Sequence, residues 1–393
     1  MARRCLNTEA QRHRARSCTV PDASRVAGAG KVRLGDVCSF SKGQQINGKE
    51  LSDSYDYPFI NGGVSPSGNW KDYNVEKGAI TISEGGNSCG FVNYFEVPFW
   101  CGAHCYYFYE LKLEPKYFYY ALKANEERLM GLRSGICMPN IRKGDLDEFE
   151  FCIDWDKATQ QRIADELDRL CAMKKNAEDR LAILDQIVKS RFVEMFGDET
   201  ELSKLADETE LITKGTTPTS LGFSFVEEGV NFVKIETFCE DGSLLPNKVA
   251  HITEECHHAL RRSQLKVNDV LFSIAGAIGR VAVVDDRILP ANTNQALAII
   301  RLRTDARLIV PYLVEVLKSE VVSRQYMAMK QGVAQLNISL KNIGDFRLPV
   351  PPLALQREFA AFVAEVDKSK LTLRETVATL DQLYRAKLQE YFG

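Results

Sequence analysis

Two stretches of the chain carry apolar residues at alternating steps of three and four, the spacing of one helix face. In the first, Leu167, Leu170, Ala177, Leu181, Leu184 and Val188 form the stripe, interrupted at Lys174; in the second, Val363, Val366, Leu373, Val377, Leu380 and Tyr384 form it, interrupted at Lys370. The pattern predicts long helices at about 160 to 195 and 356 to 391. The interruptions coincide, since 370 − 174 = 196. A polar residue at a seam position lowers stability but fixes register. Each stripe could simply face its own domain's core, but a 3.5-residue period held over about thirty residues, in only two helices, favours their pairing with each other, with both lysines snorkelling out of the seam.

A β-rich pattern precedes each helix. Ala79 to Ser83 and Phe91 to Phe95 read as strands split by the Gly85-Gly86-Asn87 turn, and Val270 to Ile274 and Val281 to Val284 flank Gly276 to Gly279 in the same way. Tyr117 to Leu132 and Pro311 to Met329 then read as amphipathic helices.

This doubling extends to the residues themselves. The segment beginning at Gly135, GICMPNIRKGDLDEFEFCI, lies over the one beginning at Gly332, GVAQLNISLKNIGDFRLPV, so that Asn140 meets Asn337, Ile141 meets Ile338 and Phe149 meets Phe346 at an offset of 332 − 135 = 197. Small gaps bring Gln161-Arg162 onto Gln356-Arg357. At an offset of 196, Leu184-Asp185-Gln186 falls on Leu380-Asp381-Gln382 and Phe196-Gly197 on Phe392-Gly393. The expected fold class is α+β: two repeated β-rich globular domains separated by a long two-helix coiled coil. The expected boundaries are 31–154 for the first domain, 155–198 for the first helix, 199–352 for the second domain and 353–393 for the second helix.

Composition narrows the function. The 393 residues are 45% hydrophobic and 26% charged, ample for two cores. No apolar run approaches the roughly 18 residues of a membrane span and no apolar segment follows the basic start, so a cytoplasmic protein is expected. The net charge of −3 argues against a surface that is basic all over, so any nucleic-acid surface must be local. Residues 1–30 carry Arg3, Arg4, Arg12, Arg14, Arg16 and Arg25 without hydrophobic period and read as a disordered basic extension. The eleven cysteines form no CxxC pair, which fits reduced thiols. The closest group, Cys101, His104 and Cys105, lacks a second ligand pair and reads as thiols near a strand end; Cys256 beside His257 and His258 reads likewise, and no metal or cofactor is expected.

Enzymatic motifs are also missing. The single Pro-Pro, Pro351-Pro352, stands between Val350 and Leu353, without the carboxamide or carboxylate and the aromatic of an adenine methyltransferase. Gly28-Ala29-Gly30-Lys31 lacks the first glycine and the hydroxyl of a phosphate loop, and Gly276-Ala277-Ile278-Gly279 leads into a strand where a dinucleotide loop needs a helix.

KGAITISEGGNSCGFV and NDVLFSIAGAIGRVAV resemble the strand–turn–strand core of the target-recognition domains in Type I restriction-modification specificity subunits. QGVAQLNISLKNIGDFRLPVPPLALQREFAAFV is similar to the segment by which such domains end and enter the conserved helix. The likeness covers residues 31 to 393. The first copy departs from it in reading CIDWDKATQQR where the second reads PVPPLALQR, and in having Met138-Pro139 where the second has Gln335-Leu336.

The resemblance implies two readers separated by a long antiparallel two-helix coiled coil, each taking one half of a split site on double-stranded DNA, and a chain without a catalytic centre. It implies as partners two copies of an adenine DNA methyltransferase subunit and ATP-dependent restriction or translocase subunits, with no membrane. A helix of about 36 residues is roughly 54 Å long, a stiff spacer for two half-sites. Candidate DNA-binding residues are Lys42, Gln44, Gln45, Asn61, Asn87, His104 and Arg142 in the first domain. In the second they are Lys214, Thr216, Lys234, Arg280, Asn292, Asn294, Gln295 and Gln335, with Arg280 expected on phosphate. Amides suit adenine edges, and cations suit guanine edges or phosphate. Singly each is an ordinary turn or solvated residue; clustered on one side of a domain they make a base-reading set. The alternatives are a coiled-coil adaptor with two protein-binding β-domains, or a silent specificity cassette.

Overall fold

The computed structural model describes residues 29–135, 139–197, 201–239, 242–329 and 337–393. The basic extension (apart from its last two residues) and Gln335 lie outside the described residues. The chain divides into two compact units, Met1–Asn176 with Thr376–Gly393, and Ala177–Glu375.

In the first unit the strands are β1 (Ala29–Arg33), β2 (Ser39–Lys42), β3 (Tyr57–Ile60), β4 (Gly68–Trp70), β5 (Ala79–Ser83), β6 (Val92–Phe95), β7 (Trp100–Cys101), β8 (Cys105–Tyr109) and β9 (Glu150–Asp154). They form a sheet in the order β2-β8-β5-β6, a smaller one in the order β4-β3-β7, and the pair β1-β9. The second unit repeats the plan. Its strands are β10 (Leu202–Lys204), β11 (Thr209–Lys214), β12 (Val230–Val233), β13 (Ala250–Ile252), β14 (Val270–Ser273), β15 (Val281–Val283), β16 (Ala291–Thr293), β17 (Leu297–Leu302) and β18 (Arg347–Pro349). Their orders are β11-β17-β14-β15, β13-β12-β16 and β10-β18. In both small sheets one pairing is parallel, β3 with β7 and β12 with β16.

The sequence explains the central strands. β5 and β14 are short runs rich in β-branched and apolar residues, buried along nearly their whole length. The turns after them need a left-handed backbone, which Gly86 (φ +75°) and Gly276 (φ +71°) supply.

The amphipathic helices are each broken in two. Pro115–Ala124 is followed by Glu126–Gly131, and Val310–Lys318 by Glu320–Ala328. At the breaks the Asn125 amide donates to the Ala121 carbonyl at 2.9 Å and the Ser319 hydroxyl to the Val316 carbonyl at 2.6 Å, side chains competing locally with the helical backbone.

The long helices run Lys157–Phe196 and Leu353–Phe392, 40 residues each. At their starts stand two buried glutamines, Gln160 and Gln356. Gln160 donates to Asp154 O (2.7 Å) and accepts from Glu114 N (2.8 Å). Gln356 donates to Arg307 O (2.7 Å) and Pro351 O (2.8 Å) and accepts from Ile309 N (3.0 Å). The structural partner of Gln356 is therefore Gln160, and the register that set Gln161 on Gln356 is corrected by one residue. Where the first copy lacks the proline turn, the Asp156 carboxylate accepts from Thr159 N at 2.9 Å and caps the first turn.

Within each unit the two helices run antiparallel. In the first, Lys174 meets Asp381 at 2.7 Å and Glu166 meets Tyr391 at 2.7 Å. In the second, Lys370 meets Asp185 at 2.7 Å and Arg191 meets Glu358 at 3.1 Å. Leu167, Leu170 and Leu380 are buried in the first unit's core, and Val366 in the second's, with Leu184 and Val363 packed against it. Leu181 and Val377 are half-buried. Contrary to the snorkelling expectation, both lysines are held by aspartates of the opposite helix; the Lys370 side chain is only 12% exposed.

Candidate nucleic-acid interface

In the first unit five backbone segments converge: the ends of β2, β3 and β5, the turn from β7 into β8, and the stretch at Ile141. Gly43 N donates to Cys105 O (3.2 Å) and Gln44 N to Cys101 O (2.8 Å). Only glycine fits at 43, because a Cβ there would lie 1.9 Å from Cys101 O. Asn61 ties two loops together, its Oδ1 accepting from His104 N (3.1 Å) and its amide donating to Gln45 Oε1 (3.3 Å). Glu84 N donates to His104 O (2.9 Å), and Glu84 O accepts from Ile141 N (2.8 Å). The Glu84 carboxylate is ion-paired with Lys42, and its second oxygen lies 3.9 Å from His104 Nδ1. Lys42 also sits 5.6 Å from the centre of the Tyr106 ring. Lys42, Gln44, Gln45, Asn87, His104 and Arg142 are exposed and Asn61 half-buried.

The second unit builds the same end from other side chains. Gly215 N donates to Asn294 O (3.1 Å), and a Cβ at 215 would lie 1.7 Å from Thr293 O. Ile274 N donates to Ala296 O (2.9 Å) and Ile338 N to Ile274 O (3.1 Å), the pattern of Glu84, His104 and Ile141 repeated. The register of the strands sets Lys214 where Lys42 stands, Thr216 at Gln44, Lys234 at Asn61, Ile274 at Glu84 and Ala296 at His104. Gln295 is exposed and its Oε1 accepts from the Thr217 hydroxyl; Lys214, Thr216 and Asn294 are half-buried.

Asn292 is placed differently from the expectation, and Arg280 and Lys234 are partly held by the domain. Asn292 lies in strand β16, not in a turn, and is fully buried. Its amide donates to Leu260 O (3.0 Å) and Ser263 Oγ (3.1 Å), and its oxygen lies 2.5 Å from His257 Nδ1, so it is a strut of the domain and cannot reach a base edge. Arg280 donates to Ile235 O (3.3 Å) and Phe238 O (2.7 Å), which commits two of the five N–H donors of its half-buried guanidinium to the fold. Lys234 lies 4.0 Å from the centre of the Phe225 ring and is half-buried. Two residues were missed: Glu84, whose signal was an acid directly between a strand and the Gly85-Gly86 turn, and Thr217, beside the Lys214–Thr216 turn.

The thiols of Cys101 and Cys105 are buried and donate to Cys105 O and Ile82 O, each at 3.5 Å. Among the described residues no group of three His, Cys, Asp or Glu could hold a metal ion, and no helix is long and apolar enough to cross a membrane.

Residues 28–184 and 198–382 each match the family described as Type I restriction modification DNA specificity domain. A Mycoplasma pneumoniae protein assigned as a type I specificity subunit is 35% identical over 121 residues, 30% of this chain and 32% of that one. The EcoBI type I restriction enzyme specificity subunit of Escherichia coli is 23% identical over 316 residues, 72% of this chain and 66% of that one. Matches to the curated relatives thus span from about a third to two thirds of their length. Among solved structures, the S subunit of a Type I restriction-modification system from M. genitalium aligns with a TM-score of 0.62 at 20% identity, covering 95% of this chain and 98% of that one. With two matched copies over most of its length, and the same two-sheet plan built twice, this chain belongs to the Type I restriction-modification DNA specificity family.

Proposed function

We propose that this chain is the sequence-reading subunit of a Type I restriction-modification complex, each recognition domain taking one half of a bipartite site on double-stranded DNA. One observation carries the reading: both units present the same strand-end scaffold, closed by Gly43 or Gly215, but line it with different side chains. Gln44 in the first domain is matched by Thr216 in the second, Asn61 by Lys234, Glu84 by Ile274 and His104 by Ala296. A conserved frame with changed donors and acceptors is what two readers of unlike half-sites require. Lys42, Gln44, Gln45, Asn61, Asn87, His104 and Arg142, and in the second domain Lys214, Thr216, Lys234, Arg280, Asn294 and Gln295, are the proposed contacts.

The chain itself does no chemistry in this reading. Methylation and restriction fall to two copies of an adenine methyltransferase subunit and to ATP-dependent translocating nuclease subunits. The long helices act as the spacer, so one heptad inserted into each should widen the gap between half-sites without altering either. The direct test exchanges residues 200–350 for the matching region of another such subunit, followed by methylome sequencing of the strain. One half of the methylated sequence should change and the other persist. A change in both halves or in neither refutes the reading.

A further inference from the structure

We infer that Glu84 is a positioning residue that turns Lys42 from a general cation into a base reader for the first half-site. The inference rests on the proposed DNA-reading role.

The Glu84 side chain is 11% exposed, and a carboxylate so far from water must be paired. Its partner is Lys42 at the end of β2, and the backbone on either side is fixed: Glu84 N is bonded to His104 O, and Glu84 O to Ile141 N. The carboxylate is thus rigidly placed and the lysine is drawn to it, although 46% of the lysine side chain remains exposed.

Two consequences follow from elementary chemistry. An ammonium has three N–H donors; Glu84 takes one, leaving two for a partner with two acceptors, such as the O6 and N7 edge of guanine. Its charge is also largely neutralised, so it adds little to phosphate attraction, which depends on net cations releasing counterions. The second domain supplies the contrast. Lys214 occupies the equivalent place, but Ile274 replaces Glu84, and among the described residues Lys214 has no carboxylate partner. An ammonium with no fixed carboxylate beside it keeps its full charge, which suits a phosphate. The two lysines of one repeat therefore have different duties.

The test uses the full chain in the strain that carries it. Deleting the chain should abolish a bipartite methylation motif; if it abolishes none, the DNA-reading role itself fails and this inference with it. If the motif depends on the chain, Glu84→Gln, which keeps the shape and removes the charge, should relax one position of the first half-site. Discrimination there should fall about tenfold or more, with the second half-site intact. Lys42→Ala should relax the same position, and the double variant should do no more than Lys42→Ala alone. For the assembled complex, Lys214→Ala should lower the slope of log affinity against log salt by about one, and Lys42→Ala by clearly less. An unchanged motif with Glu84→Gln, relaxation of both half-sites, loss of methylation altogether, additive effects in the double variant, or equal salt slopes would each overturn the assignment.

Discussion

Lys174 Nζ lies 2.7 Å from Asp381 Oδ1, and Lys370 Nζ lies 2.7 Å from Asp185 Oδ1. The second pair is the first with the helices exchanged, since 370 − 174 and 381 − 185 are both 196. A lysine that interrupts each apolar stripe is thus answered by an aspartate on the opposite helix, and a register slip would break both pairs. Asp381→Lys should cost about 1 kcal/mol, as it faces Lys174 and also loses Arg385, 2.9 Å away. Adding Lys174→Asp should recover the part of that loss that arises from Lys174, the lost contact with Arg385 remaining, in urea titrations of the full chain. The Lys370–Asp185 exchange should show coupling of the same sign, since the two charged atoms are equally close. Additive effects within either pair would refute the register role.

The same contacts set an acid limit. The hydrogen bond from Lys174 holds the Asp381 carboxyl below the usual carboxylate range, and the Tyr391 hydroxyl, aided by Lys387, does so for Glu166. A folded-state value below the unfolded one means that the unfolded chain binds protons first, so the stabilisation is present above the ordinary carboxylate values of about 4 and is lost as pH falls through the depressed ones. Asp381→Asn and Glu166→Gln should therefore flatten the dependence of stability on pH between about 5 and 3. Thermal melts across that range check this.

Gly43 and Gly215 face backbone carbonyls so closely that alanine has no room, with a Cβ at 1.9 Å from Cys101 O and 1.7 Å from Thr293 O. Gly43→Ala should distort only the first reading end and Gly215→Ala only the second, each losing several-fold or more of methylation while the other half of the motif persists. Gly48→Ala, where a Cβ meets nothing within 4 Å, is the neutral control. Equal behaviour of all three would show that the close approach is not limiting.

Asn292 and Gln295 are three positions apart and should separate cleanly. Asn292→Ala leaves Leu260 O, Ser263 Oγ and His257 without their buried partner and should cost about 1–3 kcal/mol while sparing the recognised sequence. Gln295→Ala, on an exposed side chain, should change stability by under about 0.5 kcal/mol and relax the second half-site. The pair of measurements is a melting temperature and a methylome for each variant. A relaxed motif from Asn292→Ala at unchanged stability would reverse the assignment.

Much of the architecture is local and therefore legible in the residues alone. Apolar spacing located both long helices and the lysine in each stripe, strand–turn–strand patterns located β5–β6 and β14–β15, and the 196–197 offset showed one plan used twice. Those signals survive because periodicity and turn chemistry act between near neighbours. The site was legible only as turns rich in amides and cations. Whether such a residue faces water or the core depends on partners distant in sequence. Asn292 is buried because β16 lies parallel to β12, some sixty residues earlier, and two N–H groups of Arg280 are taken by carbonyls more than forty residues away. Gln160 outranks its neighbour Gln161 because the chain folds back to offer it Glu114 N and Asp154 O. Glu84 matters only because β2 brings Lys42 to it across 42 residues. The sequence by itself determined the elements and their duplication, through the short-range sterics and burial of successive residues; tertiary pairing alone decided which polar groups are committed to the fold and which are left to meet a ligand.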